Sequence, residues 1–282
     1  MIIWLASYPK SGNTWLRALL SSYYYSDKGN FNFDLLKKIE QFPEKKFFLE
    51  FAKEFITPTS TCEHWINAQN KINQNKKLNF FKTHNSLCNI NGNNFTNKKN
   101  TLGCIYIVRD PRNILTSIKY HYELNYEESL KFMLNENKYT YDYFKKNDYG
   151  DFQFISSWQK NYRSWIQTKN FPLKLIKYED LLLNTFSTLK DVIEFINKLK
   201  NQSVIFNKQK LKNSINSTNF NKMKSKENEF GFDEAVTSKK TKKKIPFFNL
   251  GPKNEWKKVV PSYFHDQINN SFKKNLKELG YK

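Results

Sequence analysis

The stretch Ser7-Tyr8-Pro9-Lys10-Ser11-Gly12-Asn13-Thr14-Trp15 decides the fold of this 282-residue chain. The apolar residues 2–6 precede it and predict a buried strand, and the apolar side chains that follow it recur at helical spacing. The chain therefore passes from a strand through a tight polar loop into a helix. Because a helix N-terminus carries unpaired N–H groups and the positive end of a dipole, this loop predicts a phosphate or sulfate site.

The side chains of the loop suit an anion. Lys10 adds a full positive charge, Ser11 and Thr14 add hydroxyl donors, and Gly12 lets the backbone approach a ligand closely. The loop departs from the usual nucleotide pattern, G-x-x-x-x-G-K-[ST], because its lysine precedes its only glycine. A plain strand–helix turn capped by Ser11 is the simpler interpretation, but capping requires neither Lys10 nor Trp15.

This loop strongly resembles the 5′-phosphosulfate-binding loop of the sulfotransferases, commonly Y-P-K-S-G-T-T-W, with Asn13 in place of the usual Thr. Those enzymes use 3′-phosphoadenosine 5′-phosphosulfate (PAPS) as co-substrate, release adenosine 3′,5′-bisphosphate (PAP), and require no metal. The resemblance implies a set of residues that bind the cofactor: Lys10, Ser11, Gly12, Asn13, Thr14 and Trp15.

A second predicted strand, residues 78–84, ends in Lys82-Thr83-His84. In a parallel α/β sheet, ligands bind beyond the carboxyl ends of the strands, so this cluster should lie beside the anion loop. A neutral imidazole can take a proton from an acceptor hydroxyl near pH 7. The K-T-H sequence also resembles the family, which implies that His84 is the general base, that Lys82 assists transfer, and that Lys10 stabilises the leaving 5′-phosphate oxygen.

A third predicted strand, residues 104–108, leads into Arg109-Asp110-Pro111 and a helical pattern. Asp110 is expected to cap the helix, with Pro111 at its first position. The guanidinium of Arg109 offers a bidentate fork for phosphate, unless it pairs with Asp110 or another carboxylate instead. Residues 107–122 resemble the 3′-phosphate-binding segment of the family, R-[DN]-x-x-[DN]-x-x-x-S-x-x-x-H, which implies that Arg109 and Ser117 bind that phosphate.

Two later segments resemble adenine-side elements of the family. The Y-E-D sequence that closes the strand predicted over residues 173–178 implies that Tyr178 lies near the nucleotide. The segment over residues 217–223 implies that Thr218 and Phe220 lie against the adenine, with Trp15 stacking on it. Anchoring of a loop by Phe220 is the alternative.

Residues 249–257 resemble the closing loop of the family, R-K-G-x-x-G-D-W-K. Gly251 keeps its place in the pattern, which implies a cofactor contact, but the Arg-Lys pair that grips the 3′-phosphate in relatives is Asn249-Leu250 here. We expect the Gly251 N–H, Lys253 or the upstream lysines to take over that contact.

The whole pattern predicts a single α/β domain over residues 1–282, with a P-loop-NTPase-like central parallel β-sheet flanked by helices. Amphipathic helices are predicted from Phe154 to Ile166, from Leu189 to Leu199, and from Val260 to Leu279. Residues 26–77 and 123–150 are interpreted as helical or loop excursions, residues 85–103 as a loop, and residues 201–258 as a cofactor-covering loop region.

The formal net charge of +21 favours anionic partners, although most of it is typical of a lysine-rich solvated surface, and we expect no specific nucleic acid. Three cysteines without a C-x-x-C pattern predict reduced thiols and a cytoplasmic protein. No apolar run approaches the roughly 20 residues of a membrane span, and the histidines show no zinc-ligand spacing.

The expected function is direct in-line sulfuryl transfer from PAPS to a hydroxyl or amine of a small-molecule, carbohydrate or lipid-linked acceptor. Residues 26–77 and 85–103 are the candidate acceptor linings, and a homodimer stays open. A P-loop nucleotide kinase or NTPase is the first alternative, but it needs a Walker-type lysine and a metal-binding carboxylate. A nucleic-acid-binding protein driven by charge is the second, and it leaves both anion loops unexplained.

Overall fold

The computed structural model describes residues 1–141, 148–203, 206–238 and 241–282. Five parallel strands form the centre of the fold: β1 (Ile2–Ala6), β2 (Glu40–Gln41), β3 (Asn79–Thr83), β6 (Thr101–Val108) and β9 (Leu173–Lys177). Their order across the sheet is β2-β3-β1-β6-β9. Two antiparallel pairs lie outside this sheet: β4 (Asn89–Ile90) with β5 (Asn93–Asn94), and β7 (Tyr139–Thr140) with β8 (Gln153–Phe154).

Helices connect and cover the strands. In chain order they are α1 (Asn13–Tyr25), α2 (Trp65–Asn73), α3 (Pro111–Tyr122), α4 (Tyr126–Leu134), α5 (Trp158–Ile166), α6 (Tyr178–Leu183), α7 (Thr185–Leu199), α8 (Lys208–Ser217), α9 (Phe220–Phe230), α10 (Trp256–Val259) and α11 (His265–Leu279). Short 3₁₀ turns add Phe33–Lys38, Lys45–Phe47, Cys62–His64, Gly251–Lys253 and Ser262–Phe264.

Both faces of the sheet are covered, as the side chains of strand β1 show. All of its residues are fully buried, and alternate side chains enter two different cores. Ile3 and Leu5 pack with α1, α7 and α8, whereas Trp4 packs with α3, α5 and α11 on the opposite face. A strand buried on both faces reads as a continuous apolar run, which is how residues 2–6 predicted it. The structure confirms the predicted α/β fold class.

The strand register brings the three predicted clusters to one edge of the sheet. Ala6, the last residue of β1, pairs with Thr83 of β3 on one side and with Tyr106 of β6 on the other. The loop over residues 7–12, the K-T-H cluster and the Arg109 turn therefore leave the sheet side by side. This edge is the carboxyl end of the strands, where open α/β sheets bind ligands.

Several predicted elements have other boundaries. Helix α5 begins at Trp158 and not at Phe154, because Ser156 adopts a left-handed φ of 56° and the Ser157 hydroxyl caps the helix by accepting from the Lys160 N–H. Residues 85–103 contain the β4–β5 hairpin, which the loop interpretation missed. The region over residues 201–258 is partly helical, since α8 and α9 lie within it. The Lys239-Lys240 pair and residues 142–147 of the predicted excursion lie outside the described residues.

Candidate active site

A cavity of about 1180 Å³ opens at the carboxyl edge of the sheet. Its walls come from the ends of β1, β3 and β6, from α3, and from the segment around α9 and Gly251. Nearly every predicted site residue lines it: Lys10, Gly12, Asn13, Thr14, Trp15, Lys82, His84, Arg109, Ser117, Tyr178, Thr218, Phe220 and Gly251. Ser11 is buried in the loop and does not line the cavity. The fold thus brings together residues that are more than 200 positions apart in the chain.

The anion loop is built around Gly12. This residue, and not Ser11, occupies the N-cap position of α1, with a left-handed φ of 97°. A Cβ at Gly12 would lie 2.5 Å from Cδ2 of Tyr178, so both the backbone conformation and the close packing require glycine. Asn13 braces the loop, because its Nδ2 donates to the carbonyl of Leu5 at 2.9 Å. As at any helix N-terminus, the first N–H groups of α1 have no intrahelical partner.

His84 is held as a neutral imidazole with one nitrogen available. Its Nδ1 lies 2.8 Å from the carbonyl oxygen of Ser7. Since a carbonyl can only accept, Nδ1 carries the proton and Nε2 keeps its lone pair. Burial, reinforced by the charge of Lys82, lowers the pKa of His84 to about 3. The backbone N–H of His84 donates to Oε1 of Gln153 at 3.0 Å, which fixes the end of β3.

Lys10 is a half-buried cation whose charge is easily lost. Burial lowers its pKa to about 7, with Glu234 acting in the opposite direction and Lys82 and Arg109 adding to the decrease. Its Nζ lies 3.3 Å from Nδ1 of His121 and 4.1 Å from the ring centroid of Phe247. His121 accepts from Lys10, because burial and the charge of Lys10 lower the His121 pKa and keep the ring neutral.

Glu234 is a cavity residue that the sequence did not reveal. The Thr14 hydroxyl donates to Glu234 Oε2 at 2.7 Å, Lys82 Nζ lies 3.3 Å from Oε1, and Arg17 forms an ion pair with the same oxygen. Burial would raise the pKa of this carboxyl, but Lys82, Arg17 and the hydrogen bonds from Thr14 and Arg17 hold it well below its usual range. The Thr14 hydroxyl of the anion loop is therefore already hydrogen-bonded to a carboxylate of the chain itself.

Arg109 lines the same cavity and contacts the anion loop directly. One of its guanidinium nitrogens donates to the carbonyl of Lys10 at 3.2 Å, and the guanidinium carbon lies 4.2 Å from the ring centroid of Tyr178. The carboxylate of Asp110 pairs with Arg112, with an N–O distance of 2.7 Å. Asp110 also caps α3 by accepting from the Arg112 N–H. Asp110 thus pairs with Arg112 and not with Arg109.

Ser117 and Asn254 form a small polar cluster on the α3 side. Asn254 Nδ2 donates to Ser117 Oγ at 3.1 Å, and Ser117 Oγ donates to the carbonyl of Asn113 at 3.2 Å. Asn254 stands where the closing-loop pattern of the family has its second glycine. Its side chain thus occupies the approach to Ser117, so a ligand phosphate would meet the amide and the hydroxyl together.

The residues that were predicted to lie against the adenine differ in whether their side chains are already engaged in contacts within the chain. Thr218 is fully buried, and its hydroxyl donates to the carbonyl of Ser214 at 2.8 Å, so its one proton is already used. The ring of Phe220 packs on Gly251, whose φ is 55° and where a Cβ would lie 2.2 Å from that ring. Trp15 meets Tyr178 edge-on, with ring centroids 5.9 Å apart. Trp15 and Phe220 both present aromatic rings to the cavity.

Two lysines enter the cavity near the closing loop. Lys253 belongs to the 3₁₀ turn Gly251–Lys253, and Lys224 projects from α9 with its Nζ 3.5 Å from the carbonyl of Asn249. Both line the cavity. Lys224 and Lys253 therefore lie close to Asn249 and Leu250, the two residues that stand in place of the Arg-Lys pair of the family.

The donor set fits a phosphorylated ligand. Arg109 Nε is buried without a hydrogen-bond partner among the described residues, and a buried polar group without a partner is costly. A phosphate or sulfonate oxygen would satisfy such a donor. Within the described ranges, no three His, Cys, Asp or Glu side chains are grouped so that they could hold a metal ion.

Comparison with known proteins identifies the family of this chain. The sequence matches the sulfotransferase domain family over residues 2–280. The chain belongs to the sulfotransferase family. Sulfotransferase 1A1 of Rattus norvegicus is 21% identical to this sulfotransferase over 282 residues, which cover 99% of this chain and 85% of that protein. The predicted family and enzyme class are thereby confirmed.

Solved structures share the fold of this sulfotransferase. Mouse sulfotransferase SULT7A1 complexed with PAP superposes with a TM-score of 0.59 at 18% identity, over 98% of this chain and 84% of that one. Retinol dehydratase in complex with androsterone and inactive cofactor PAP superposes with a TM-score of 0.55 at 15% identity, over 98% and 80% of the two chains. Among the described residues of this sulfotransferase, no helix has both the length and the apolar character needed to cross a bilayer.

Proposed function

We propose that this enzyme transfers a sulfuryl group from PAPS to a hydroxyl or amine acceptor. The observation that carries the proposal is that the Lys10 loop and the Arg109 turn open into one cavity, which also contains His84. The phosphosulfate end would be bound by the loop over residues 10–14 and the 3′-phosphate by Arg109 and Ser117. The structures of SULT7A1 and retinol dehydratase, both described as PAP complexes, support the same ligand class.

His84 has the form that a general base requires. Its neutral ring directs a protonated Nδ1 at Ser7, so Nε2 is the atom that takes the acceptor proton. PAPS supplies the sulfuryl group that moves to the acceptor oxygen, while its bridging oxygen keeps the bond electrons on the 5′-phosphate. An anionic ligand next to His84 would raise the pKa of the imidazole and make it a stronger base.

Lys10 and Lys82 supply the positive charge in the transfer region. Lys10 would donate to the 5′-phosphate oxygen on which charge develops. The hydrogen bond to Nδ1 of His121 holds the Lys10 ammonium in position. Lys82 is buried at the end of β3, where burial lowers its pKa and Glu234 pairs with it. Because these groups are fixed before the ligand arrives, they need little reorganisation during the reaction.

For the 3′-phosphate we propose that Lys224 and Lys253 take the place of the missing Arg-Lys pair. Both cations line the cavity on the side of Gly251. Replacement of Lys224 by alanine should weaken PAP binding roughly 10-fold, the order expected for one charge-assisted hydrogen bond. Lys222→Ala is the matched control, since Lys222 is exposed on the same helix and does not line the cavity. Equal PAP affinity in the two variants would remove Lys224 from this role.

Calorimetric titration tests the donor assignment. We expect micromolar PAP binding and no binding of magnesium-ATP, and we expect Arg109→Ala to lose roughly 10- to 100-fold in PAP affinity. Arg163→Ala is the control, because Arg163 pairs with Glu278 and does not line the cavity. Binding of ATP with magnesium-dependent hydrolysis would overturn the proposal in favour of a nucleotide kinase or NTPase. Transfer of radiolabelled sulfate from PAPS to an acceptor panel is the direct test of activity.

A further inference from the structure

A second cavity, of about 530 Å³, lies beside the first at the β2 edge of the sheet. Its walls come from the β2 region and from the residues next to β7 and β8. Every lining side chain carries a polar group, and those specific to this pocket are Gln41, Glu44, Lys45, Lys46, Tyr141 and Asp151. We name these six residues the β2 pocket.

The β2 pocket communicates with the catalytic centre. Thr140 and Gln153 pair across the β7–β8 ladder, and both line the two cavities. Gln153 is also the residue whose Oε1 accepts from the His84 N–H at 3.0 Å. A molecule in the β2 pocket that is long enough to pass Gln153 would therefore enter the cavity that contains His84. This path is separate from the side on which Arg109 and Tyr178 lie.

The charges of the β2 pocket are balanced within the chain. Lys45 Nζ lies 2.7 Å from Asp148 and its backbone N–H donates to Asp151 at 2.9 Å. Lys46 pairs with Glu44 at 2.8 Å and also with Glu40. Because each ammonium is already matched by a carboxylate, the pocket does not favour an acidic ligand despite the basic character of the whole chain. An apolar ligand would desolvate these polar groups without replacing their hydrogen bonds, which is costly.

We propose that the β2 pocket binds the acceptor, and that the acceptor is a neutral polyhydroxylated molecule of the carbohydrate class. This inference rests on the proposed sulfuryl transfer. Hydroxyl groups can both donate to the carboxylates and accept from the ammonium and amide groups of the pocket. The ring of Tyr141, which packs on Tyr149 with centroids 4.6 Å apart, supplies a flat aromatic face for the C–H side of a sugar ring.

An acceptor panel tests this assignment with three arms. Radiolabelled sulfate transfer is measured with neutral alkyl glycosides, with uronic acid glycosides, and with a steroid alcohol. We expect kcat/KM for the best neutral glycoside to exceed that of the other two classes at least roughly tenfold, since buried polar groups discriminate strongly against ligands that leave them unpaired. Preference for the acidic sugar or for the steroid alcohol would overturn the inference.

Variants of Tyr141 provide a readout independent of turnover. Saturation-transfer NMR on the PAP-bound protein should show binding of the preferred glycoside, lost in Tyr141→Leu and restored in Tyr141→Phe. Tyr263→Leu, an exposed tyrosine outside both cavities, is the matched control. Unchanged glycoside binding in Tyr141→Leu would contradict the β2 pocket, whereas a protein that binds no PAP would contradict the donor assignment as well. The two failures are therefore distinguishable by the PAP titration.

Discussion

Substitution of Glu234 by glutamine should tighten the binding of PAP. The carboxylate accepts from Thr14 and pairs with Lys82 and Arg17, so it competes for donors that a ligand phosphate would use. The amide has nearly the same shape and carries no charge. The change therefore removes the competing anion and leaves the loop close to its present geometry.

The size of the effect follows from the charge that is removed. Two unit charges about 4 Å apart interact by roughly 4 kcal/mol at an effective dielectric constant of about 20. A quarter of the Glu234 side chain is exposed, so solvent screens part of this repulsion, and the carboxylate can also move away when the ligand binds. A net gain of about 1–2 kcal/mol remains, which corresponds to roughly 5- to 30-fold tighter binding.

Isothermal titration of PAP into the wild type, Glu234→Gln and Glu229→Gln measures this gain. The titrations are run at a pH well below 7, because loss of the Glu234 charge lowers the Lys10 pKa further and Lys10 must stay protonated in every variant. Glu229 is exposed on α9 and does not line the cavity, so its loss changes the net charge of the protein without changing the site. The gain should shrink as salt is added, because it is electrostatic. Weaker or unchanged PAP binding in Glu234→Gln would refute the reasoning and would assign Glu234 to holding Lys82 in place.

Three further predictions concern the catalytic and binding residues. His84→Ala should lower kcat by roughly 10²–10⁴-fold while calorimetry shows nearly unchanged PAP affinity; a normal kcat would remove His84 as the base. Because burial lowers the pKa of Lys10 to about 7, its charge is present below that pH and is lost above it. PAP affinity should therefore fall about tenfold per pH unit above that value, and Lys10→Arg should abolish this dependence. Gly251→Ala places a methyl group 2.2 Å from the Phe220 ring at a left-handed φ, and it should lower the free energy of unfolding by more than about 1 kcal/mol. A chemical denaturation curve identical to that of the wild type would contradict this last expectation.

The parts of the site that follow strand ends were readable from the sequence. Residues 2–6 and 104–108 are uninterrupted apolar runs, and a strand covered on both faces has that pattern. Asp110-Pro111 marked the start of α3 at the correct residue. Since parallel strands present their carboxyl ends at one edge, the proximity of Lys10, His84 and Arg109 followed from local patterns alone.

Contacts that depend on long connections could not be predicted. Glu234 lies in a segment without hydrophobic periodicity, and 220 positions separate it from Thr14, to which it is hydrogen-bonded. Gln153 reaches His84 from the β7–β8 ladder, whose two-residue strands give no readable alternation. His121 closes the S-x-x-x-H pattern, so a signal existed, but its contact with Lys10 depends on the relative placement of α3 and the anion loop.

The ring of Tyr178 joins the two halves of the cavity. It packs against the backbone of Gly12, meets the edge of Trp15, and lies beneath the guanidinium of Arg109. A change in the tilt of this one ring therefore reaches both turns at once. A substitution that tilts this ring should therefore alter the Lys10 loop and the Arg109 turn together, so the two turns are expected to change in concert.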